Sequence, residues 1–192
     1  MEDRLATSLI LLCAGGTQSS RTGGFPSPDE ALDKSARRDA ANCRLDARFH
    51  ANLFVSSARS ALETVDAMNL RGRREPALAD VDHGSWAGRS FEAVLAEMPD
   101  DLMRWLANPV DSAPGGEPMD AVTLRIGRWL DRIACLDQPI CAITHATVIR
   151  AALAHTLDLP LRSTLAIDIA PLSRTRLSFN RAWRLQSLTP FD

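Results

Sequence analysis

Short apolar segments typical of buried strands alternate with amphipathic segments of helical spacing along the whole chain. The first apolar run, residues 5–12, is continuous and leads into Gly15-Gly16, which is typical of a central parallel strand that ends in a loop. Repeated strand–helix units predict a mostly parallel sheet with helices on both faces, a three-layer α/β/α sandwich. In such folds, binding sites lie at the carboxyl ends of the strands. We therefore expect the functional side chains in the loops that follow the strands.

The same patterns predict the individual elements. The predicted strands cover residues 5–12, 52–57, 75–80, 140–144, 165–169, 174–179 and 183–188. The predicted helices cover residues 29–49, 58–70, 91–108 with a break near Pro99, 119–136 and 146–157. Neither an internal repeat nor a long linker interrupts these elements. We therefore expect residues 1–192 to form a single domain.

Composition excludes several classes of protein. The net charge is −2, so no basic excess points to nucleic acid or a membrane surface as a partner. The first apolar run is far shorter than the roughly 20 residues of a membrane span, and acidic residues precede it, unlike in a signal peptide.

The cysteines lack CxxC spacing, which predicts reduced, mostly buried thiols and a cytoplasmic protein. They are Cys13, Cys43, Cys135 and Cys141. With no zinc-ligand spacing and no phosphate-binding loop motif, neither a metal nor a cofactor is expected.

Polar residues follow several of the predicted strands directly. They are residues 14–28, residues 56–59 and His145, with Asp80 at the end of a weaker strand. Since the carboxyl ends of parallel strands meet at one edge of a sheet, these groups are expected to line one crevice. His145 also opens a helix, where backbone N–H groups and the helix dipole favour an anion.

Four segments stand out together in chain order. They read LILLCAGGTQSS (9–20), FVSSARSALETVDAM (54–68), LADVDHGSWAGRSFEAV (78–94), and PGGEP (114–118) followed by ICAITHATVIRAALAHTLDLP (140–160). In this order they resemble the motifs of the histidine phosphatase superfamily, whose members have the phosphoglycerate-mutase-like fold. The resemblance implies phosphoryl chemistry: a histidine attacks phosphorus, arginines hold the phosphoryl oxygens, and a carboxylic acid protonates the leaving oxygen. It also implies a small cap at about residues 83–118.

The first segment departs from the family pattern at the attacking group. Gly15 and Thr17 match the family's glycine and threonine. Cys13, however, stands where the family has an arginine, and Ala14 stands where it has the nucleophilic histidine. No shift of register restores the motif, because no histidine precedes His50. The resemblance therefore implies that the usual phosphohistidine intermediate cannot form.

The resemblance assigns the remaining roles to other residues. His145 matches the family's second histidine, and Asp80 matches its proton-donating acid. Arg59 is the nearest match to the second arginine, although strict spacing from the Glu-Thr pair puts Ser60 there. Phosphate contacts are expected from Thr17, Ser20 and Arg21. Glu117 is expected either to orient the substrate or to cap the helix that begins near residue 119.

Three functional hypotheses follow. The first is an inactive or impaired member of the family, a pseudoenzyme that retains a phosphate- or anion-binding pocket for a small phosphorylated molecule. The second is a phosphomonoesterase with an altered mechanism that uses His145 with Asp80, or Cys13 as a thiolate. The third is a structural subunit that pairs with another chain, an active paralogue or a second copy in a homodimer. Exposed Leu or Trp side chains on residues 91–108 would support the third.

Overall fold

A six-stranded sheet forms the centre of the computed structural model, which describes residues 6–191. The strands are β1 (Thr7–Cys13), β2 (Leu53–Val55), β3 (Arg73–Arg74), β4 (Pro139–Thr144), β5 (Arg174–Asn180) and β6 (Ala182–Thr189). Their order across the sheet is β3-β2-β4-β1-β5-β6. The first four strands of this order are parallel, whereas β5 pairs antiparallel with both β1 and β6. The prediction of a mostly parallel sheet is thus confirmed.

Helices cover both faces of the sheet. They are α1 (Gln18–Thr22), α2 (Lys34–Asn42), α3 (Arg59–Ala67), α4 (Phe91–Glu97), α5 (Pro99–Ala107), α6 (Met119–Ile133), α7 (Ala146–Leu157) and α8 (Leu161–Thr164). Successive side chains of β1 point to opposite faces. Leu9 and Leu11 therefore pack in the cluster with α6 and α7, whereas Ile10 and Leu12 pack in the cluster with α3. Burial on both faces explains the unbroken apolar run of β1 and confirms the α/β/α layers.

Two predicted strands are absent from the sheet. Residues 75–80 contain a 3-10 helix, Pro76–Leu78, and the two-residue β3 just before it takes the edge beside β2. Pro76 has no N–H to donate to a strand ladder, which favours the turn. Residues 165–169 stay irregular, because β5 already occupies the other side of β1.

The predicted helix over residues 29–49 is also shorter than expected. Only its middle forms α2, because the Asp33 side chain caps the first turn by accepting a hydrogen bond from the Ala36 N–H. Cys43 has extended backbone angles and ends the helix. A short 3-10 helix, Ala47–Phe49, follows and buries Phe49.

Part of the 83–118 segment builds an apolar cluster of its own around Phe25. The Phe25 ring lies 4.8 Å from the Trp86 ring and 5.4 Å from the Trp105 ring, between centroids. Val94, Leu102 and Ala113 complete its buried set. The same segment exposes the large apolar side chains of Leu95, Met103 and Leu106. The two exposed leucines meet the expectation stated above for the subunit hypothesis.

The cysteines are all free, as expected. Cys13, Cys43 and Cys141 are buried, and Cys135 is exposed. Between residues 6 and 191, no helix has the length and apolar composition that crossing a membrane requires.

Candidate functional site

A cavity of about 710 Å³ opens at the carboxyl ends of the parallel strands. The register of β1 and β4 pairs Cys13 with Thr144, so the next residues, Ala14 and His145, arrive there together. Backbone hydrogen bonds hold this edge, since the Ala14 N–H donates to the Thr144 carbonyl and the Ser56 N–H donates to that of Ile143. The strand ends therefore meet at one crevice, as the sequence predicted.

His145 is the best-supported residue of the predicted site. Its side chain is only 10% exposed. Its Nε2 lies 2.8 Å from the Ser56 hydroxyl oxygen, and its Nδ1 lies 3.5 Å from Oδ2 of Asp80. The other carboxylate oxygen of Asp80 accepts the Val81 N–H at 2.9 Å. The predicted pairing of this histidine and this acid in one cavity is thus observed, and the ring is held from both sides.

The end of β1 presents a thiol and a methyl group to the cavity. Cys13 and Ala14 both line the cavity, and each is 5% exposed. Burial, reinforced by the negative charge of Asp80, raises the pKa of the Cys13 thiol to about 12. The sulfur is therefore a neutral thiol at physiological pH. This argues against the hypothesis of a Cys13 thiolate, because the thiolate is the nucleophilic form.

The loop after β1 gives a mixed result for the three predicted phosphate contacts. Thr17 and Ser20 line the cavity, but their hydroxyl groups form the capping box of α1. Arg21 lies outside the lining and forms an ion pair with Asp33, 2.6 Å from Nε to Oδ2, and a hydrogen bond to Ser35. Its guanidinium is thus directed to the start of α2 and away from the cavity.

The two candidates for the second arginine position lie on different sides of α3. Ser60 lines the cavity, as strict spacing predicted, whereas Arg59 does not. The Arg59 side chain is 57% exposed, and its Nε lies 2.8 Å from Oε1 of Glu63 one helical turn later. Its backbone N–H donates to the Pro28 carbonyl, which fixes the start of α3. The prediction of Arg59 as a cavity residue is corrected by this ion pair on the outer side of the helix.

Glu117 does not cap α6, and it lies beside the main cavity rather than in its lining. Its carboxylate receives two bonds from Arg125, at 2.8 and 3.0 Å, and this places it outside the main cavity. Helix α6 has Pro118 at its cap position with no capping side chain, so the cap alternative is wrong. Glu117 lines a smaller side pocket of about 250 Å³, which shares several wall residues with the main cavity.

Several charged cavity residues were missed in the sequence, among them Arg150 and Asp168. Arg150 lies one turn into α7 and shares its face with Ala146, which also lines the cavity. The i, i+4 spacing from the helix start was the available signal. Asp168 comes from the irregular segment that was predicted as a strand. His83 also lines the cavity, and burial lowers its pKa so that the ring is neutral at pH 7.

Carboxylates outnumber cations in the lining of the main cavity. Its acidic residues are Glu30, Asp80, Asp82 and Asp168. In the part of the chain that the structure describes, Arg150 is the only arginine of this lining. Across residues 6–191, no group of histidine, cysteine and acidic side chains has an arrangement that holds a metal ion. An anion in the cavity can therefore contact Arg150, His145 and the N-terminus of α7, while the surrounding carboxylates repel it.

Comparisons with known proteins agree with this fold. Phosphoserine phosphatase 1 from Hydrogenobacter thermophilus is 30% identical over 105 residues, which cover 53% of this chain and 50% of that protein. The chain thus aligns with about half the length of this curated relative. A family model of the histidine phosphatase superfamily (branch 1) matches residues 9–189.

Solved structures share the fold at low sequence identity. The α-ribazole phosphatase from Shigella flexneri has a TM-score of 0.83 at 20% identity, with 95% of this chain and 96% of that chain covered. A mycobacterial glucosyl-3-phosphoglycerate phosphatase, solved with VO3, has a TM-score of 0.80 at 23% identity, covering 93% and 96%. A phosphoserine phosphatase from Entamoeba histolytica, solved as a His-to-Ala variant with phosphoserine, has a TM-score of 0.78 at 16% identity, covering 97% and 98%. With the family model spanning nearly all of its sequence, this chain belongs to the histidine phosphatase superfamily (branch 1).

Proposed function

We propose that this protein binds a small phosphorylated molecule, or another small anion, and turns it over slowly or not at all. The observation that carries the proposal is Ala14, a methyl group at the cavity floor where the family has its attacking imidazole. Removing the nucleophile from a covalent mechanism lowers the rate by several orders of magnitude. The neighbouring Cys13 supplies no replacement, because its thiol stays protonated.

Binding nevertheless has a physical basis in the cavity. Arg150 and the N-terminal turn of α7 present positive charge and backbone N–H groups to the same space as His145. The Entamoeba phosphatase variant supports the distinction between binding and turnover, since that protein holds phosphoserine with a histidine replaced by alanine. The Hydrogenobacter relative, a phosphoserine phosphatase by name, makes phosphate monoesters the first class of ligand to test.

The test is the hydrolysis of p-nitrophenyl phosphate across pH by the natural protein and by restored variants. The first variant is Cys13→Arg with Ala14→His, and the second adds Ser60→Arg, since Ser60 lines the cavity where strict spacing puts the second arginine. We expect no hydrolysis above background by the natural protein and a gain of activity in the restored variants. Phosphate binding by each variant, followed by calorimetry, shows whether a silent variant still has an intact cavity.

A second candidate function rests on the observed pair of His145 and Asp80. In a phosphomonoesterase of this kind, His145 attacks phosphorus or takes a proton from water, and Asp80 protonates the leaving oxygen. The 3.5 Å separation between the two side chains inside the cavity favours this alternative over one that uses the buried thiol. Turnover by the natural protein that is lost in His145→Ala overturns the binding proposal and establishes this one.

A cytoplasmic location is part of the same proposal. Its support is that all four cysteines are free and that Cys13, Cys43 and Cys141 are buried as thiols. Free thiols persist in the reducing environment of the cytoplasm, whereas oxidising compartments favour disulfides.

A further inference from the structure

The side pocket next to the main cavity has a wall of aromatic rings. Phe25, Phe91 and Trp105 contribute to this wall, with centroid separations of 4.7 Å (Phe25–Phe91), 5.4 Å (Phe25–Trp105) and 6.3 Å (Phe91–Trp105). Phe25 is only 1% exposed, whereas Phe91 is 36% exposed and Trp105 is partly buried, so Phe91 and Trp105 are the rings left to receive another ring. Pro109, Met119 and Leu165 extend the apolar lining.

The size of this pocket suits a single aromatic group. Its volume is about 250 Å³, and an apolar cavity of about 150 Å³ in another protein already accepts benzene. The ring of His83 belongs to the same wall, 5.2 Å from the Phe25 ring, and burial keeps it neutral at pH 7. The wall is therefore uncharged where it meets Phe25.

Arg150 lies at the junction between the two spaces, since it lines both of them. Its Nε donates to the Ile167 carbonyl at 3.0 Å, which anchors the side chain. Within residues 6–191, its two terminal nitrogens have no hydrogen-bond or ion-pair partner, unlike those of Arg125, which pairs with Glu117. A half-buried guanidinium without a carboxylate partner is a natural binding site for an anionic group.

The remaining charges around the side pocket do not neutralise Arg150. Glu117 is occupied by its two bonds to Arg125, and Asp111 is exposed. In the main cavity, the Glu30 oxygens accept bonds from Ser19, Asp80 lies against His145, and Asp82 accepts the Gly84 N–H. Within residues 6–191, Asp168, the fourth acidic residue of that lining, makes no ion pair with Arg150. Arg150 is therefore the one guanidinium that faces both an apolar ring pocket and the polar cavity in the described residues.

We propose that the ligand is an aromatic anion, with its ring in the side pocket and its anionic group on Arg150. This inference deepens the proposed function and rests on it, because it names the class of molecule that the cavity holds. According to this inference, the anion binds to Arg150 in the first turns of α7 and not at the end of β1, where the family arginine is missing. The anionic group is a phosphate monoester or a carboxylate, since a guanidinium binds both in the same two-pronged way.

The test uses calorimetric titration of the natural protein with four probes at low ionic strength. Phenyl phosphate and methyl phosphate differ by the ring, and phenylacetate and acetate form the corresponding carboxylate pair. We expect at least one aromatic probe to bind about tenfold tighter than its ring-free partner, since burial of an aryl group is worth at least that factor. The pair that shows the preference identifies the anionic group. Equal binding within both pairs, or no binding of any probe, overturns the inference.

Two matched pairs of variants locate the contacts. Arg150→Gln should weaken the preferred aromatic probe about tenfold, whereas Arg128→Gln, an exposed arginine on α6 outside both linings, should leave it unchanged. Phe91→Ala should remove the preference for the ring, whereas Leu95→Ala, exposed on the same helix and outside the pocket, should keep it. Unchanged binding in Arg150→Gln, checked for folding by circular dichroism, contradicts the assignment.

Phenol release is measured in the same samples and separates the two proposals. Rapid hydrolysis of phenyl phosphate that depends on His145 overturns the proposed function but not the preference for a ring. A silent protein without a ring preference overturns only the aromatic ligand. The experiment therefore shows which of the two claims has failed.

Discussion

The imidazole of His145 lies within 3.5 Å of the Asp80 carboxylate, at the carboxyl end of β4, and no second imidazole among residues 6–191 lies on the β1 side of the same cavity. In a phosphatase, the acid would protonate a leaving oxygen after attack from the β1 side. Under the proposed function, the methyl group of Ala14 takes the attacking side, so no covalent intermediate forms for the pair to act on. The Asp80 carboxylate then adds negative charge to a cavity in which carboxylates already outnumber cations.

Asp80→Asn should therefore strengthen the binding of phosphate by severalfold at low ionic strength. The reason is that the change removes a like charge from the cavity while it keeps the shape of the side chain. Titration with phenyl phosphate at two salt concentrations measures the effect, which should shrink at the higher one. Asp66→Asn, an exposed position on α3, serves as the control for a simple change in net charge. Weaker binding in Asp80→Asn would instead mean that the acid contacts the ligand as a proton donor.

The four thiols should differ sharply in reactivity in the folded protein. Burial raises the pKa of both Cys13 and Cys141 to about 12, so at pH 8 almost none of either is thiolate. Cys135 is exposed. Treatment with iodoacetamide at pH 8, followed by peptide mass mapping, should label Cys135 first and leave Cys13 unlabelled until the protein is unfolded. Labelling of Cys13 as fast as Cys135 would restore the thiolate mechanism that the structure argues against.

The fold was predictable where the signal is local. The sequence predicted both the β5–β6 hairpin and helix α7. Each is determined within a few residues, by a turn pair in the hairpin and by an apolar run in the helix. Arg59 was misplaced because its direction depends on Glu63 and on a backbone bond to Pro28, which tertiary packing brings together. The spacing of residues along α3 does not by itself show on which side of the helix the Arg59 guanidinium lies.

The site was predictable to the extent that strand ends determine it. Ala14 and His145 follow neighbouring strands, so their meeting follows from the sheet alone. Arg150 was missed because its place in the cavity depends on the direction of a long side chain, which the Ile167 carbonyl fixes from a distant irregular segment. The absence of carboxylate partners around it could not be read from spacing either.

The ion pair of Asp33 with Arg21 should make stability depend on pH at the acid end. Partial burial acts to raise the pKa of Asp33, but hydrogen bonds from the Ala36 N–H and from Arg21 outweigh it and lower the value to about 2. A carboxyl whose folded pKa is depressed stabilises the protein above its unfolded pKa of about 3.9, and this contribution is lost as pH falls toward 2. Since Arg21 is more than half exposed, solvent screening limits the effect to about 1 kcal/mol.

Asp33→Asn isolates this charge, because asparagine can still cap α2. The variant should be less stable than the natural protein by about 1 kcal/mol at pH 7, and the difference should narrow as pH falls below about 4. Asp33→Ala, which also removes the cap, should lose about 1 kcal/mol more at every pH. Urea unfolding at several pH values measures all three proteins. A constant gap between the natural protein and Asp33→Asn at every pH would rule out the charge as its cause.

Gly84 and Gly115 give a matched test of the packing between the start of the 83–118 segment and its end. Both have positive φ, +53° and +73°, so an alanine is strained at either position. A Cβ on Gly84 would also overlap the carbonyl oxygen of Pro114, whereas one on Gly115 would meet no atom within 4 Å. Gly115→Ala should therefore destabilise the protein by about 1 kcal/mol, from backbone strain alone.

Gly84→Ala should destabilise the protein by clearly more than that, about 2–4 kcal/mol, because two backbone segments must separate to admit the methyl group. Urea unfolding of both variants gives the two values. The same change should weaken the binding of aromatic probes more than Gly115→Ala does, since the displaced backbone leads to Glu117 in the side-pocket wall. Equal stability losses in the two variants would show that the turn at residues 114–116 moves aside freely, and that the close approach to Gly84 does not hold the segment in place.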